Sequence, residues 1–213
     1  MSISIAVIDY GMGNLRSVSK ALEHVAPGAE VRVTSDAAVV MRAERVVFPG
    51  QGAMPDCMRE LDAMGLRAAV LEAARTKPFL GICIGLQMLF ERSEEGDTPG
   101  LGVFAGSVKR FPAAAMQGAH GARLKVPHMG WNQVTQVGPH ALWHGIADGN
   151  RYYFVHSYYV EPAKPQLAAG RSTYGIPFTA AVAQDNIFAV QFHPEKSQAA
   201  GLALLANFVS WKP

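Results

Sequence analysis

Cysteine is scarce: Cys57 and Cys83 are the only two in 213 residues. Two thiols cannot build a disulfide framework, and their scarcity points to a reducing compartment. Excess charge of either sign is also missing, with 19 Lys and Arg against 17 Asp and Glu, and there is no long basic run. That argues against nonspecific phosphate binding, so no nucleic-acid partner is expected. The opening MSISIAVIDY lacks a basic segment followed by a long apolar stretch, and no run approaches the roughly 18 apolar residues of a membrane span. The expectation is a cytoplasmic protein with no membrane partner. What the chain has is apolar residues, 49% against 17% charged, enough to bury a core. Its length and the lack of a long linker predict a single domain over 1–213.

Short Val, Ile and Phe runs alternate with helical spacing, the pattern of βαβ units around a buried, mostly parallel sheet. Residues 3–8 read as the first strand, and Leu15, Val18, Leu22 and Val25 then share a helical face. Strands are expected at 31–33 and 45–48. An apolar stripe follows at Met54, Cys57, Met58, Leu61 and Met64, which makes Cys57 a core residue, and then a helix at 66–75. From 101 to 137 turn residues are denser, predicting shorter strands, some of them antiparallel. Strands at 151–155, 178–183 and 187–192 and a helix at 197–211 complete the reading. The fold class is thus α/β, three-layered, with flanking helices and a smaller antiparallel portion in the second half.

The chemistry concentrates at Pro78-Phe79-Leu80-Gly81-Ile82-Cys83-Ile84-Gly85-Leu86-Gln87. A buried strand meets an amphipathic helix at a cysteine flanked by two glycines, the pattern of a nucleophile elbow. Small neighbours suit a strained backbone that other chain segments must approach closely. A helix N-terminus at the sulfur favours thiolate. The matching base is His193 in Gln191-Phe192-His193-Pro194-Glu195. Pro194 biases His193 toward extended backbone, where residues two apart share a face, so Glu195 can fix the imidazole tautomer. For an oxyanion hole the candidates are the amides of Gln51, in Pro49-Gly50-Gln51-Gly52, and of Ile84. The Gly50 to Gly52 segment reads equally as an ordinary tight turn.

These residues resemble the triad-type, or class I, glutamine amidotransferases, whose fold is flavodoxin-like. More narrowly, DYGMGNLRS (9–17), FPGQGAMPD (48–56), PFLGICIGLQMLF (78–90), VPHMGWN (126–132), YFVHSYYV (153–160) and QFHPEKS (191–197) are similar to the glutaminase subunits of imidazole glycerol phosphate synthases. The resemblance implies that Cys83, His193 and Glu195 form a catalytic triad that hydrolyses glutamine to glutamate and ammonia through a thioester. It implies that Gly50, Gly52, Gln87, Ser157 and Tyr158 bind the substrate. It implies a heterodimer with a (β/α)8-barrel cyclase that uses the ammonia in histidine biosynthesis, with Asn14, Trp131, Tyr153 and Lys196 at or near the interface. Gln51 departs from the small apolar residue usual there.

Other readings are weaker. Gly11-Met12-Gly13 is followed by Arg16 where a dinucleotide fingerprint needs a third glycine. His140 and His144 are spaced like metal ligands, but no nearby residue completes a set. No cofactor and no metal are expected, and His128 and His156 need no proton-transfer role. The same elbow also serves glutaminase subunits of pyridoxal phosphate or GMP synthesis. A non-catalytic binding module on the same scaffold would be expected to lack the intact trio.

Overall fold

The computed structural model describes residues 3–117 and 123–213. Its first part alternates strand and helix as the apolar spacing predicts. In order these are β1 (Ser4–Ile8), α1 (Leu15–Val25), β2 (Glu30–Thr34), α2 (Ala37–Arg42), β3 (Arg45–Gly50), α3 (Met54–Ala63), α4 (Arg67–Thr76) and β4 (Phe79–Cys83). Every residue of β3 and β4 is buried, as expected of strands covered on both faces. α1 packs against α6 (Gln198–Ser210), and α2 against α4. Right-handed crossovers put the two pairs on opposite faces of the sheet.

After β4 the chain makes α5 (Ile84–Gln87), β5 (Phe90–Ser93), β6 (Thr98–Pro99), β7 (Phe104–Arg110), β8 (His128–Gln133), β9 (Thr135–Gln136) and β10 (Arg151–His156). Then come β11 (Tyr158–Pro162), β12 (Ala168–Tyr174), β13 (Ile176–Gln184) and β14 (Ile187–Val190). The large sheet runs β2-β1-β3-β4-β14-β13-β11-β7-β5-β6, with β12 between β13 and β9; β8 and β10 pair separately. Its first five strands are parallel neighbours. At the β13–β14 pair it turns antiparallel.

That order matters for the site. The carboxyl ends of β3, β4 and β14 lie side by side, Gly50 in register with Cys83 and Ile82 with Val190. Ligands of open parallel sheets bind at such strand ends.

Two expectations need correction. The amphipathic helix after Cys83 is a single turn, α5, and the chain then enters β5. Residues 84–90 are all buried, so there is no polar face for a surface helix. Their carbonyls are captured by a neighbouring segment instead: Met88 accepts from the Leu101 amide at 2.7 Å and Leu89 from the Phe104 amide at 2.9 Å. Strands β11 and β12 also lie outside the expectation. β12, AAGRSTY, is built of small residues and shifts register around Gly170, so it lacks a branched apolar run.

Candidate active site

Cys83 sits at φ 56°, ψ −111°, a conformation that L-residues seldom adopt. Close packing holds it there. A Cβ on Gly85 would lie 1.9 Å from the Phe48 carbonyl oxygen, and one on Gly81 would lie 2.9 Å from the Ala189 Cβ. Both glycines are therefore steric requirements of the bend, as the sequence spacing predicts.

His193 follows β14, and its ring reaches the same end of the sheet. Nδ1 donates to Oε1 of Glu195 at 2.9 Å, with both side chains almost fully buried. The extended geometry expected for this pair is only half present. His193 is extended, but Glu195 lies in a 3-10 turn, Pro194–Lys196. The turn is held by Ser197, whose hydroxyl donates to the His193 carbonyl at 2.6 Å and accepts from the Tyr153 amide at 3.0 Å.

Burial would pull the His193 pKa down, but the facing Cys83 sulfur and the Glu195 carboxyl outweigh it and lift it to about 10. The acid and the sulfur thus favour the charged form of the ring against its burial. Its Nε2 is buried and meets no partner at hydrogen-bond geometry, and the Cys83 sulfur is the group it faces.

A cavity of about 440 Å³ opens over the sulfur. Gln51, Gly52, Cys83, Ile84, Gln87 and His193 line it together with Tyr153, Ser157, Tyr158 and Lys196. Every residue in the sequence-derived catalytic, oxyanion and substrate sets lines it except Gly50 and Glu195. Glu195 stands behind the histidine. Gly50 does not line the cavity and is packed within β3, where a Cβ would strike the Tyr10 hydroxyl at 2.3 Å and Ile84 Cβ at 3.0 Å. Gly52, at φ +113°, is the glycine that turns along the cavity.

Cys57 is core, as its stripe predicts, and burial pushes its pKa up to about 11, leaving a thiol that donates to the Gln51 carbonyl at 3.5 Å. Trp131 is 39% exposed and meets Tyr153 edge to face, while the Lys196 ammonium lies 5.9 Å from the Tyr153 ring. Asn14 stands at the start of α1, which packs on the Pro194–Lys196 turn.

Three further residues belong to the site. Gln191, fully buried, places Nε2 3.8 Å from the Cys83 sulfur and accepts from Gln87 Nε2 at 3.0 Å. Glu95 lines the cavity while one carboxyl oxygen accepts from the Met54 amide at 2.8 Å, capping α3. Ser197 fastens the histidine turn. Gln191 carries a sequence signal, a lone polar residue in the apolar run IFAVQF; Glu95 and Ser197 carry none.

His140 accepts from the Leu142 amide at 3.1 Å, capping a short 3-10 turn. Among the described residues no group of three or more His, Cys, Asp or Glu could hold a metal, and no helix is long and apolar enough to cross a membrane.

The family described as "Glutamine amidotransferase class-I" matches residues 6–211. The chain is 73% identical to "Imidazole glycerol phosphate synthase subunit HisH" of Dechloromonas aromatica, over 99% of this chain and 97% of the relative. It is 69% identical to the protein of the same name from Aromatoleum aromaticum, over 98% and 99%. PurLQS from Thermotoga maritima shares the fold with a TM-score of 0.72 at 17% identity, covering 99% of both chains.

Proposed function

The chain belongs to the class I glutamine amidotransferase family, and we propose that it is the glutaminase subunit of an imidazole glycerol phosphate synthase of histidine biosynthesis. The observation that carries this reading is the cavity over Cys83, with a buried His193–Glu195 pair beside it. Cys83 as thiolate attacks the side-chain carbonyl carbon of glutamine, forming the S–C bond. The oxyanion is met by the backbone amides of Gln51 and Ile84. His193 hands its proton to the leaving nitrogen, the C–N bond breaks and ammonia departs. His193 then takes a proton from water, whose oxygen attacks the thioester, and glutamate leaves with the sulfur restored.

Substrate recognition follows from the cavity's polar atoms. Gln87 Oε1 is buried without a protein partner, and the Glu95 carboxyl lies on the wall; both suit the α-ammonium of glutamine. Gly52, Ser157 and Tyr158 supply the remaining walls.

The ammonia passes to a (β/α)8-barrel cyclase subunit in a cytoplasmic heterodimer. Trp131, Tyr153 and Lys196, with Asn14 nearby, form the docking face: an aromatic anchor and a cation adjoin the cavity. Glutamate release tests both halves of the reading. The isolated chain should be weakly active, the cyclase with its ligand should raise the rate, and Cys83→Ala should abolish it. Turnover unaffected by that substitution would refute the reading.

A further inference from the structure

The mechanism leaves two buried histidines unused. His156 lines the cavity; His128 borders a recess on the outer side with Met129, Trp131, Asn132 and Tyr174. Their rings touch, His128 Nδ1 lying 2.9 Å from His156 Nε2. On the far side His156 Nδ1 is 2.7 Å from the Tyr158 carbonyl oxygen, and His128 Nε2 is 3.3 Å from Asn132 Nδ2.

The hydrogen-bond direction along this chain has one solution for uncharged rings. A carbonyl only accepts, so His156 carries its proton on Nδ1 and its Nε2 is bare. The bare nitrogen must accept, so His128 also carries its proton on Nδ1. Its own Nε2 then accepts from Asn132. That amide is itself fixed: Nδ2 donates to the Thr173 carbonyl at 2.9 Å and Oδ1 accepts from the Gln133 amide at 2.8 Å. His128 is further clamped between the Phe154 and Tyr174 rings, with centroids at 4.9 and 4.0 Å.

At the cavity end the Tyr158 carbonyl also accepts from Gln87 Nε2 at 3.2 Å. With Gln191 Oε1 as the second acceptor, both amide hydrogens of Gln87 are committed, and its Oε1 is left as a buried free acceptor. A displaced Tyr158 carbonyl would leave the Gln87 amide held by Gln191 alone, easing a flip that replaces an acceptor with a donor in front of the substrate.

We propose that His128 and His156 are positioning residues of the glutamine site, an uncharged pair whose one-way hydrogen bonding holds the Tyr158 carbonyl and, through it, the Gln87 amide. The proposal rests on the reading of the cavity as a glutamine site. Burial keeps both rings uncharged, lowering His128 to about 4 and His156 to about 3. Because the oriented acceptor binds ground state and transition state alike, losing it raises KM and spares kcat.

Three variants are measured by glutamate release in complex with the cyclase subunit. His128→Phe keeps the ring stack and removes the donor to His156; its KM for glutamine should rise about ten-fold with kcat within about three-fold. His128→Asn places an amide Nδ2 where Nδ1 stood and should return KM to within about three-fold of wild type. Cys83→Ala should be inactive. Unchanged KM in folded His128→Phe overturns the positioning proposal alone, whereas activity retained in Cys83→Ala overturns the reading beneath it. A readout on the unaltered chain covers the case in which His128→Phe does not fold: with 15N-labelled histidine at pH 6.5, both rings should show protonated Nδ1 and bare Nε2. A charged ring, or a proton on Nε2 of either, would overturn the proposal.

Discussion

One cavity is lined by two buried histidines whose surroundings push them in opposite directions. Burial works against charge at both His193 and His156, yet the first is lifted to about 10 and the second sinks to about 3. The neighbours decide. His193 faces an acid and a sulfur, whereas His156 faces another imidazole and a carbonyl. In the reaction proposed above the first ring carries a proton toward a leaving group, and in the proposed positioning role the second keeps a fixed pattern of donor and acceptor. Depth in the protein does not set what a histidine does; the partner does.

Removing the acid is the strongest way to break this contrast. Glu195→Gln should lower glutamate release about 10²- to 10⁴-fold, because the ring loses both its orientation and its support for charge. A near-normal rate would show that the sulfur alone separates the two sites.

Acid is the next lever. Unfolded histidines take up protons near 6.5, whereas folded His128 and His156 do so only near about 4 and about 3. The unfolded state therefore binds more protons, and stability falls with pH from about 6.5 toward 4, at up to about 3 kcal/mol per pH unit for two rings. His128→Phe should halve the slope in denaturant titrations. His193 runs the other way: its contribution is full below 6.5 and is lost as pH rises through about 10.

Asn132→Asp sharpens the comparison by giving the neutral pair an acid of its own. His128 should then titrate above its ordinary 6.5 by NMR, while the lost donor to the Thr173 carbonyl costs about 1–3 kcal/mol of stability. The smallest change in stability belongs to Trp131→Ala on the exposed face, within about 1 kcal/mol in thermal unfolding. The same variant should bind the cyclase about ten-fold more weakly by calorimetry.

What the sequence discloses follows the same divide. β3 and β4 are fully buried strands and β1 is buried from Ile5 onward, and their Val, Ile and Phe runs announce them; Cys83 between two glycines and His193 before Pro194-Glu195 are equally legible. α5 is not, since periodicity cannot distinguish an all-buried single turn from a longer helix. Gly50 and Gly52 read alike in the sequence, because a glycine required by packing looks the same as one required by a ligand, and only Gly52 lines the cavity. The His128–His156 pair is invisible as a unit, for it exists only where β8 and β10 place both residues opposite each other.

The strand ends that carry Gln51, Cys83 and the approach to His193 are adjacent rungs of one ladder. Each added residue advances a strand by about 3.3 Å and reverses the side its chains face. Lengthening β3, β4 or β14 by one would therefore dismantle the chemistry at a stroke, whereas loops at the opposite edge can grow or shrink freely. In a lineage of such proteins, insertions and deletions should accumulate almost wholly on that other side.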